Sequence, residues 1–191
     1  LKPDLRTIQF FARIGLRALG DDGLLKALRT ELEGEGFKIH AVQSFVSDLL
    51  MSKGALGQMK PKKEHWPDIE RGIEIAHAIG ALDIGQSVVV QQGIVLGVEA
   101  IEGTDQLLRR CKGYMRPGRG GVLVKLCKPQ QDVSLDLPTI GPETIQHCID
   151  NNLEGVAVAA GKTLVIEPQV MVEMADKHKI FIYGLDETER S

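Results

Sequence analysis

Three stretches of the 191-residue chain hold residue types that could do chemistry. The first, Glu99-Ala100-Ile101-Glu102-Gly103-Thr104-Asp105, gathers three carboxylates and a glycine where a β-run enters a helix. Carboxylate oxygens suit a hard divalent cation, and the free amides of a helix N-terminus suit a phosphate. The same residues also make an ordinary helix start, because Thr104 and Asp105 are favoured there. The second stretch, Val124-Lys125-Leu126-Cys127-Lys128-Pro129-Gln130-Gln131-Asp132, places Lys125 inside an apolar β-run. An unpaired ammonium is costly to bury, so Lys125 requires an anionic partner, either a carboxylate of the fold or a phosphate of a ligand. Lys128, before Pro129, reads more simply as a surface lysine. The third stretch, Leu135-Asp136-Leu137-Pro138-Thr139-Ile140-Gly141-Pro142-Glu143-Thr144, sets Asp136 between two leucines, with Pro138 fixing the backbone and Gly141-Pro142 opening a helix. A carboxylate so placed suits a metal ligand or general base, and capping the turn is the alternative.

Other patterns carry less. Gly161-Lys162-Thr163 resembles the end of a phosphate-binding P-loop, but the glycine required upstream is Val156 and no helix follows. Lys162 then reads as a hairpin-tip lysine facing a ligand. His40, His65, His77, His147 and His178 include no pair at metal-ligand spacing with a carboxylate between, and none is given a role. No serine lies in a Gly-x-Ser-x-Gly setting, which disfavours an acyl-transfer hydrolase.

These residues need elements to hold them. Leu5, Ile8, Leu16 and Leu19 recur at helical spacing and predict a helix over 4–19, stopped by Gly20. Leu24, Leu25, Leu28 and Leu32 predict a second, capped by Asp21 or Asp22 and ended by Gly34 and Gly36, before a short β-like stretch over 37–42. Residues 53–66 are rich in Lys, Gly and Pro and read as a linker. Beyond it, Pro67 opens a helix that Gly80 closes, and β-runs 87–91 and 94–100 form a hairpin across Gln92-Gly93. Helices over 105–112, 142–152 and 169–178 then alternate with strands over 122–126, 156–160, 163–166 and 180–184. The class is mixed α/β, in domains 1–52 and 67–191.

Composition excludes several alternatives. A hydrophobic content of 43% is enough for a buried core. With 23 Lys+Arg against 26 Asp+Glu the net charge is −3, so no global cationic field points to nucleic acid. Cys111, Cys127 and Cys148 are odd in number and form no Cys-x-x-Cys pair, which implies a reduced, cytosolic chain without a zinc knuckle. No apolar run approaches the roughly 18–20 residues of a membrane span. The chain opens Leu1-Lys2-Pro3 without Met, as a fragment or processed product would.

One resemblance joins the motifs. Ala81-Leu82-Asp83-Ile84-Gly85-Gln86-Ser87-Val88-Val89-Val90, the Val98–Asp105 stretch, Gly121-Val122-Leu123-Val124-Lys125 with Lys128-Pro129-Gln130, Asp136-Leu137-Pro138-Thr139-Ile140-Gly141-Pro142, and Ala160-Gly161-Lys162 occur in that order. The succession resembles the magnesium-dependent UDP-2,3-diacylglucosamine pyrophosphatases that some Gram-negative bacteria use in lipid A biosynthesis, a family unrelated to the calcineurin-like phosphoesterases. The resemblance implies a Rossmann-like N-terminal domain, of which 1–52 would be the later part, then a linker over 53–66 and a C-terminal domain of family-specific fold. It implies hydrolysis of the pyrophosphate to UMP and 2,3-diacylglucosamine 1-phosphate.

On the same resemblance, Asp136 matches the catalytic aspartate, ligating Mg2+ or positioning the attacking water. Glu99, Glu102 and Asp105 would complete the ion's oxygen shell. Lys125, Lys128 and Lys162 would take phosphate oxygens, while Gln86, Thr104 and Thr139 would contact nucleotide or sugar. The implied partners are the lipid nucleotide and, transiently, the cytoplasmic surface of the inner membrane, with self-association left open and nucleic acid excluded. Lys60-Pro61-Lys62-Lys63 would attract anionic head groups or simply solvate the linker. The alternatives are a regulatory domain that binds a nucleotide or sugar phosphate without catalysis, and a scaffold. A chain lacking the first part of its N-terminal domain is expected to be inactive alone.

Overall fold

The computed structural model describes residues 5, 9, 12, 21–41, 44, 45 and 47–186. They fall into two compact units: the described part of Leu1–Phe45 with Gln131–Asp136, and the described part of Val46–Gln130 with Leu137–Ser191.

In the smaller unit, helix α1 (Asp21–Gly34) forms where the leucine spacing predicts it. Arg29 is its anchor, bonding Glu33 one turn on at 2.8 Å, Asp132 at 3.0 Å and the Ser134 hydroxyl at 2.7 Å. Hydrogen bonds from Ser134 and then the Arg29 guanidinium hold the Asp132 carboxyl below the usual carboxylate range. Residues 37–41 hold no strand, and residue 42 lies outside the described residues. The helix expected over 4–19 lies almost wholly outside them too, as does much of the Rossmann-like fold expected for 1–52.

The larger unit contains, in chain order, β1 (Gly54–Leu56), α2 (Trp66–Ala81), β2 (Ser87–Gln91), β3 (Ile94–Val98), α3 (Gly103–Cys111), β4 (Gly121–Lys125), β5 (Thr139–Ile140), α4 (Pro142–Asp150), β6 (Leu153–Ala159), β7 (Leu164–Val165), α5 (Pro168–His178) and β8 (Phe181–Leu185). Six strands form one mixed sheet in the order β1-β8-β6-β4-β2-β3, and β5 and β7 form a short parallel pair. The central strands β4, β6 and β8 run parallel, and the outer pairings are antiparallel.

The strands are almost continuously apolar because helices cover both faces of the sheet. On one face, Ile69, Ala76 and Ile79 of α2 pack with Val88, Val90, Val122, Val124, Ala157 and Phe181. On the other, Leu107 and Leu108 of α3, Ile145 and Cys148 of α4, and Met171 and Ala175 of α5 pack with Val89, Leu123, Val156, Val158 and Ile182. The period-two alternation of the strands assigns neighbouring residues to the two cores. Gly72 lets α2 lie close against β4, since a Cβ there would sit 2.4 Å from a Val124 methyl.

Residues 53–66 do not form a free linker. Gly54–Leu56 pairs antiparallel with β8 as the sheet's edge, and His65, in a short 3-10 turn, is buried with Nε2 2.7 Å from Glu154. An edge strand is held by backbone hydrogen bonds, which composition does not reveal. The hairpin forms as expected across Gln92 and Gly93, both at positive φ (51° and 78°), the mirror-image turn that matches strand twist.

Candidate active site

A groove of about 620 Å³ opens beyond the carboxyl end of β4, lined by residues 102–105, Lys125, residues 139–144, Ile166 and Glu167. Three helices start at it: α3 at Gly103, α4 at Pro142 and α5 at Pro168. The N-cap residues Glu102, Gly141 and Glu167 supply no side-chain cap of their own, and at the second start the Thr144 hydroxyl accepts the Gly141 amide at 3.3 Å. First-turn amides with no intrahelical partner and the positive ends of three helix dipoles therefore converge on one opening, which suits an anionic ligand.

Lys125 ends β4 with its side chain 9% exposed and donates to the Thr139 carbonyl at 3.0 Å. Thr139 lines the same groove and its hydroxyl donates to the Leu137 carbonyl at 3.1 Å. Thr104, also on the lining, donates to Glu99 at 2.9 Å and lies 3.2 Å from the Ser87 hydroxyl. Glu99 itself is buried and accepts the Gln86 amide at 3.1 Å, so its carboxylate ties the entry of α3 to the start of β2. Gln86 has its side-chain oxygen buried without a hydrogen-bond partner among the described residues.

Glu102 reaches the groove, but one of its oxygens takes both Nε and Nη2 of Arg110, at 3.0 and 2.8 Å. Its own backbone amide and then Arg110 hold its carboxyl below the usual range. Lys128 lies 2.6 Å from Asp83 beyond the C-terminal end of α2, and Lys162 is exposed in the turn between β6 and β7. Neither is on the groove lining. Asp136 belongs to the smaller unit, is exposed, and accepts from Gln131 Nε2 at 2.6 Å.

Asp105 is the one of the expected metal-ligating carboxylates that joins a cluster in the larger unit. It meets Glu143 and His147, the ligand-capable atoms of all three lying within 4.8 Å of one another. Glu143 and His147 are one turn apart on α4 and so share a face, while Asp105 comes from the first turn of α3. His147 Nε2 stands 3.9 Å from an oxygen of each carboxylate. It is buried and has no hydrogen-bond partner among the described residues. One nitrogen and two carboxylate oxygens are a donor set that fits a divalent cation. Glu143 and His147 escape a search for paired histidines, since the cluster holds a single imidazole. The available signal was a Glu-x-x-x-His step just inside a Gly-Pro helix start.

Fold and groove define a three-layer α/β protein that presents helix N-termini and a buried lysine to an anionic ligand. Family models locate it further: residues 1–49 match the LpxI N-terminal domain and residues 52–183 the LpxI C-terminal domain. The chain belongs to the LpxI family. It is 39% identical over 197 aligned positions to the UDP-2,3-diacylglucosamine pyrophosphatase LpxI of Caulobacter vibrioides, an alignment covering 100% of this chain and 70% of the relative.

Proposed function

We propose that the chain hydrolyses the pyrophosphate bond of UDP-2,3-diacylglucosamine in lipid A biosynthesis, releasing UMP and 2,3-diacylglucosamine 1-phosphate. The observation that carries this reading is the groove, where three helix starts and the Lys125 ammonium meet in a relative of an enzyme named for that reaction. A pyrophosphate is doubly charged over a few ångströms, and preorganised amides with one cation can hold it without reorganising during the reaction. The amides of 104–105 and 143–144 and Lys125 bind phosphate oxygens, and Thr104 and Thr139 orient what they hold. Asp136, its carboxylate steadied by Gln131, accepts a proton from the attacking water. Mg2+ is the cofactor we assign, and when bound it would neutralise charge developing on the phosphate oxygens.

A substrate with two acyl chains is presented at a membrane surface, so we place the protein peripherally on the cytoplasmic face of the inner membrane. No helix among the described residues is long and apolar enough to cross a membrane.

The test is UMP release from UDP-2,3-diacylglucosamine, followed by 31P NMR with Mg2+ and with excess EDTA. Asp136→Asn should lower kcat by about 10²–10⁴-fold while circular dichroism and lipid-nucleotide binding are retained. Near-normal turnover by that variant would remove Asp136 from the chemistry. Saturable binding with no UMP under any metal condition would turn the reading into a regulatory nucleotide-binding domain.

A further inference from the structure

We propose that Asp105, Glu143 and His147 form a divalent-cation site with one nitrogen and two oxygen ligands, suited to a first-row transition ion such as Mn2+ over Mg2+ or Ca2+. The inference rests on the proposed reading only for what fills the remaining coordination positions, the phosphate oxygens of a ligand in the groove.

The two carboxylates alone would carry nothing, because acidic residues in the first turn of a helix answer its dipole. His147 is the observation that dipoles do not explain. Its residue is 9% exposed, and its Nε2 is fully buried without a hydrogen-bond partner among the described residues. A buried imidazole nitrogen is ordinarily satisfied by a hydrogen bond of about 2.8–3.0 Å. Here Nε2 stands off at 3.9 Å from both Asp105 and Glu143, too far to bond either. A nitrogen equally distant from two carboxylates, with all three donor atoms within 4.8 Å of one another, fits a common centre between them. Ligand atoms about 2.1 Å from one ion are separated by about 3–4.2 Å, which a small adjustment of two exposed carboxylates reaches.

A second acid–histidine group sharpens the contrast. Glu64, His65 and Glu154 also cluster within 4.8 Å, but both His65 nitrogens are used. Nε2 lies 2.7 Å from Glu154, and Nδ1 accepts the Lys62 amide at 2.8 Å. That group is a closed hydrogen-bond network, whereas His147 keeps a nitrogen to offer.

The donor set also speaks to which ion. Mg2+ and Ca2+ take oxygen shells, and an imidazole nitrogen raises affinity along the series from Mn2+ to the later divalent ions. Two carboxylates keep the site hard enough for Mn2+. Asp105 and Glu143 both line the groove, so an ion there would face it.

The test is titration of the intact chain with Mn2+ without nucleotide, reading bound ion from loss of the free-ion EPR signal and imidazole ligation from 14N modulation in the spin echo. One ion per chain, 14N modulation, and displacement by Mg2+ only in large excess are expected. Glu143→Gln and Asp105→Asn, both at exposed positions, should each weaken binding by about 10–100-fold or more. His147→Gln should abolish the modulation, and if that variant does not fold the two exposed variants decide. Unchanged Mn2+ affinity in Glu143→Gln, or bound Mn2+ without 14N modulation, overturns the site. Displacement by equimolar Mg2+ overturns the selectivity. Intact Mn2+ binding without lipid-nucleotide hydrolysis would sink the proposed function and leave this site standing, and hydrolysis without Mn2+ binding would do the reverse.

Discussion

Lys125 shows what a single residue at the end of a strand can do. Flanked by Val124 and Leu126, both buried in the core, its ammonium can leave the apolar layer only at the strand's open end, where it meets the Thr139 carbonyl and the groove. If the groove binds phosphate, Lys125→Met keeps the alkyl volume and removes the charge. The expected loss is about 2–5 kcal/mol in kcat/KM, with a thermal midpoint close to wild type. Steady-state kinetics beside a thermal melt check this, and a lower midpoint with unchanged kinetics would assign Lys125 to the fold alone. Burial of Lys125 was legible in the run of apolar neighbours, but what it touches was not. Glu99 makes the same point more sharply. Its position beside Glu102 and Asp105 reads as part of one acidic cluster, yet its carboxylate turns inward to Thr104 and the Gln86 amide.

At the scale of elements, Asp68 links pieces far apart in the chain. By spacing it is a helix-start carboxylate of α2, and it does lie in that first turn. Its side chain is nonetheless buried, and accepts the amides of Gln92 at 3.0 Å and Gly93 at 2.6 Å together with the Arg119 guanidinium. The hairpin turn, the helix start and the segment before β4 are thereby fixed to one carboxylate. Asp68→Ala leaves Arg119 without its buried partner and two turn amides unanswered, and should cost about 3–5 kcal/mol in urea unfolding. A loss under about 1 kcal/mol would show that water replaces the carboxylate. Gln92-Gly93 announced the turn because only residues tolerating positive φ can form it, whereas the identity of its buried acceptor depends on which helix packs there.

At the scale of the whole molecule, the three cysteines report on the core. All three are free and buried, and burial pushes the Cys148 thiol up to about 12 and raises that of Cys111. A thiol whose folded pKa lies above its unfolded one favours the protonated, folded state. Its contribution is full below the unfolded value near 9 and is lost as pH rises toward about 12. Native protein at pH 8 should therefore label at Cys148 with a thiol reagent only at the rate at which the core opens, and rapidly in denaturant. Fast native labelling, read by mass spectrometry, would contradict the packing of α4 on the sheet. The mild net charge of −3 leaves any positive field to local features, here three helix starts and one lysine on a single groove.

Much of the architecture was determined by the sequence itself, because its signals are local. Helix starts at Pro67 and Pro142, the turn at Gln92-Gly93 and the apolar strand runs depend on φ preferences and on residues a few positions apart. The motif order likewise carried the family. Only the tertiary structure decided which polar residues share a space. Residues 54–56 became an edge strand because β8 offered backbone partners, and Glu99 and Glu102 were committed to Thr104 and Arg110. Glu143 and His147 came to face Asp105 because α3 and α4 pack side by side on one face of the sheet. Side-chain spacing along one helix is written in the sequence, but the approach of two helices is set by the cores they share.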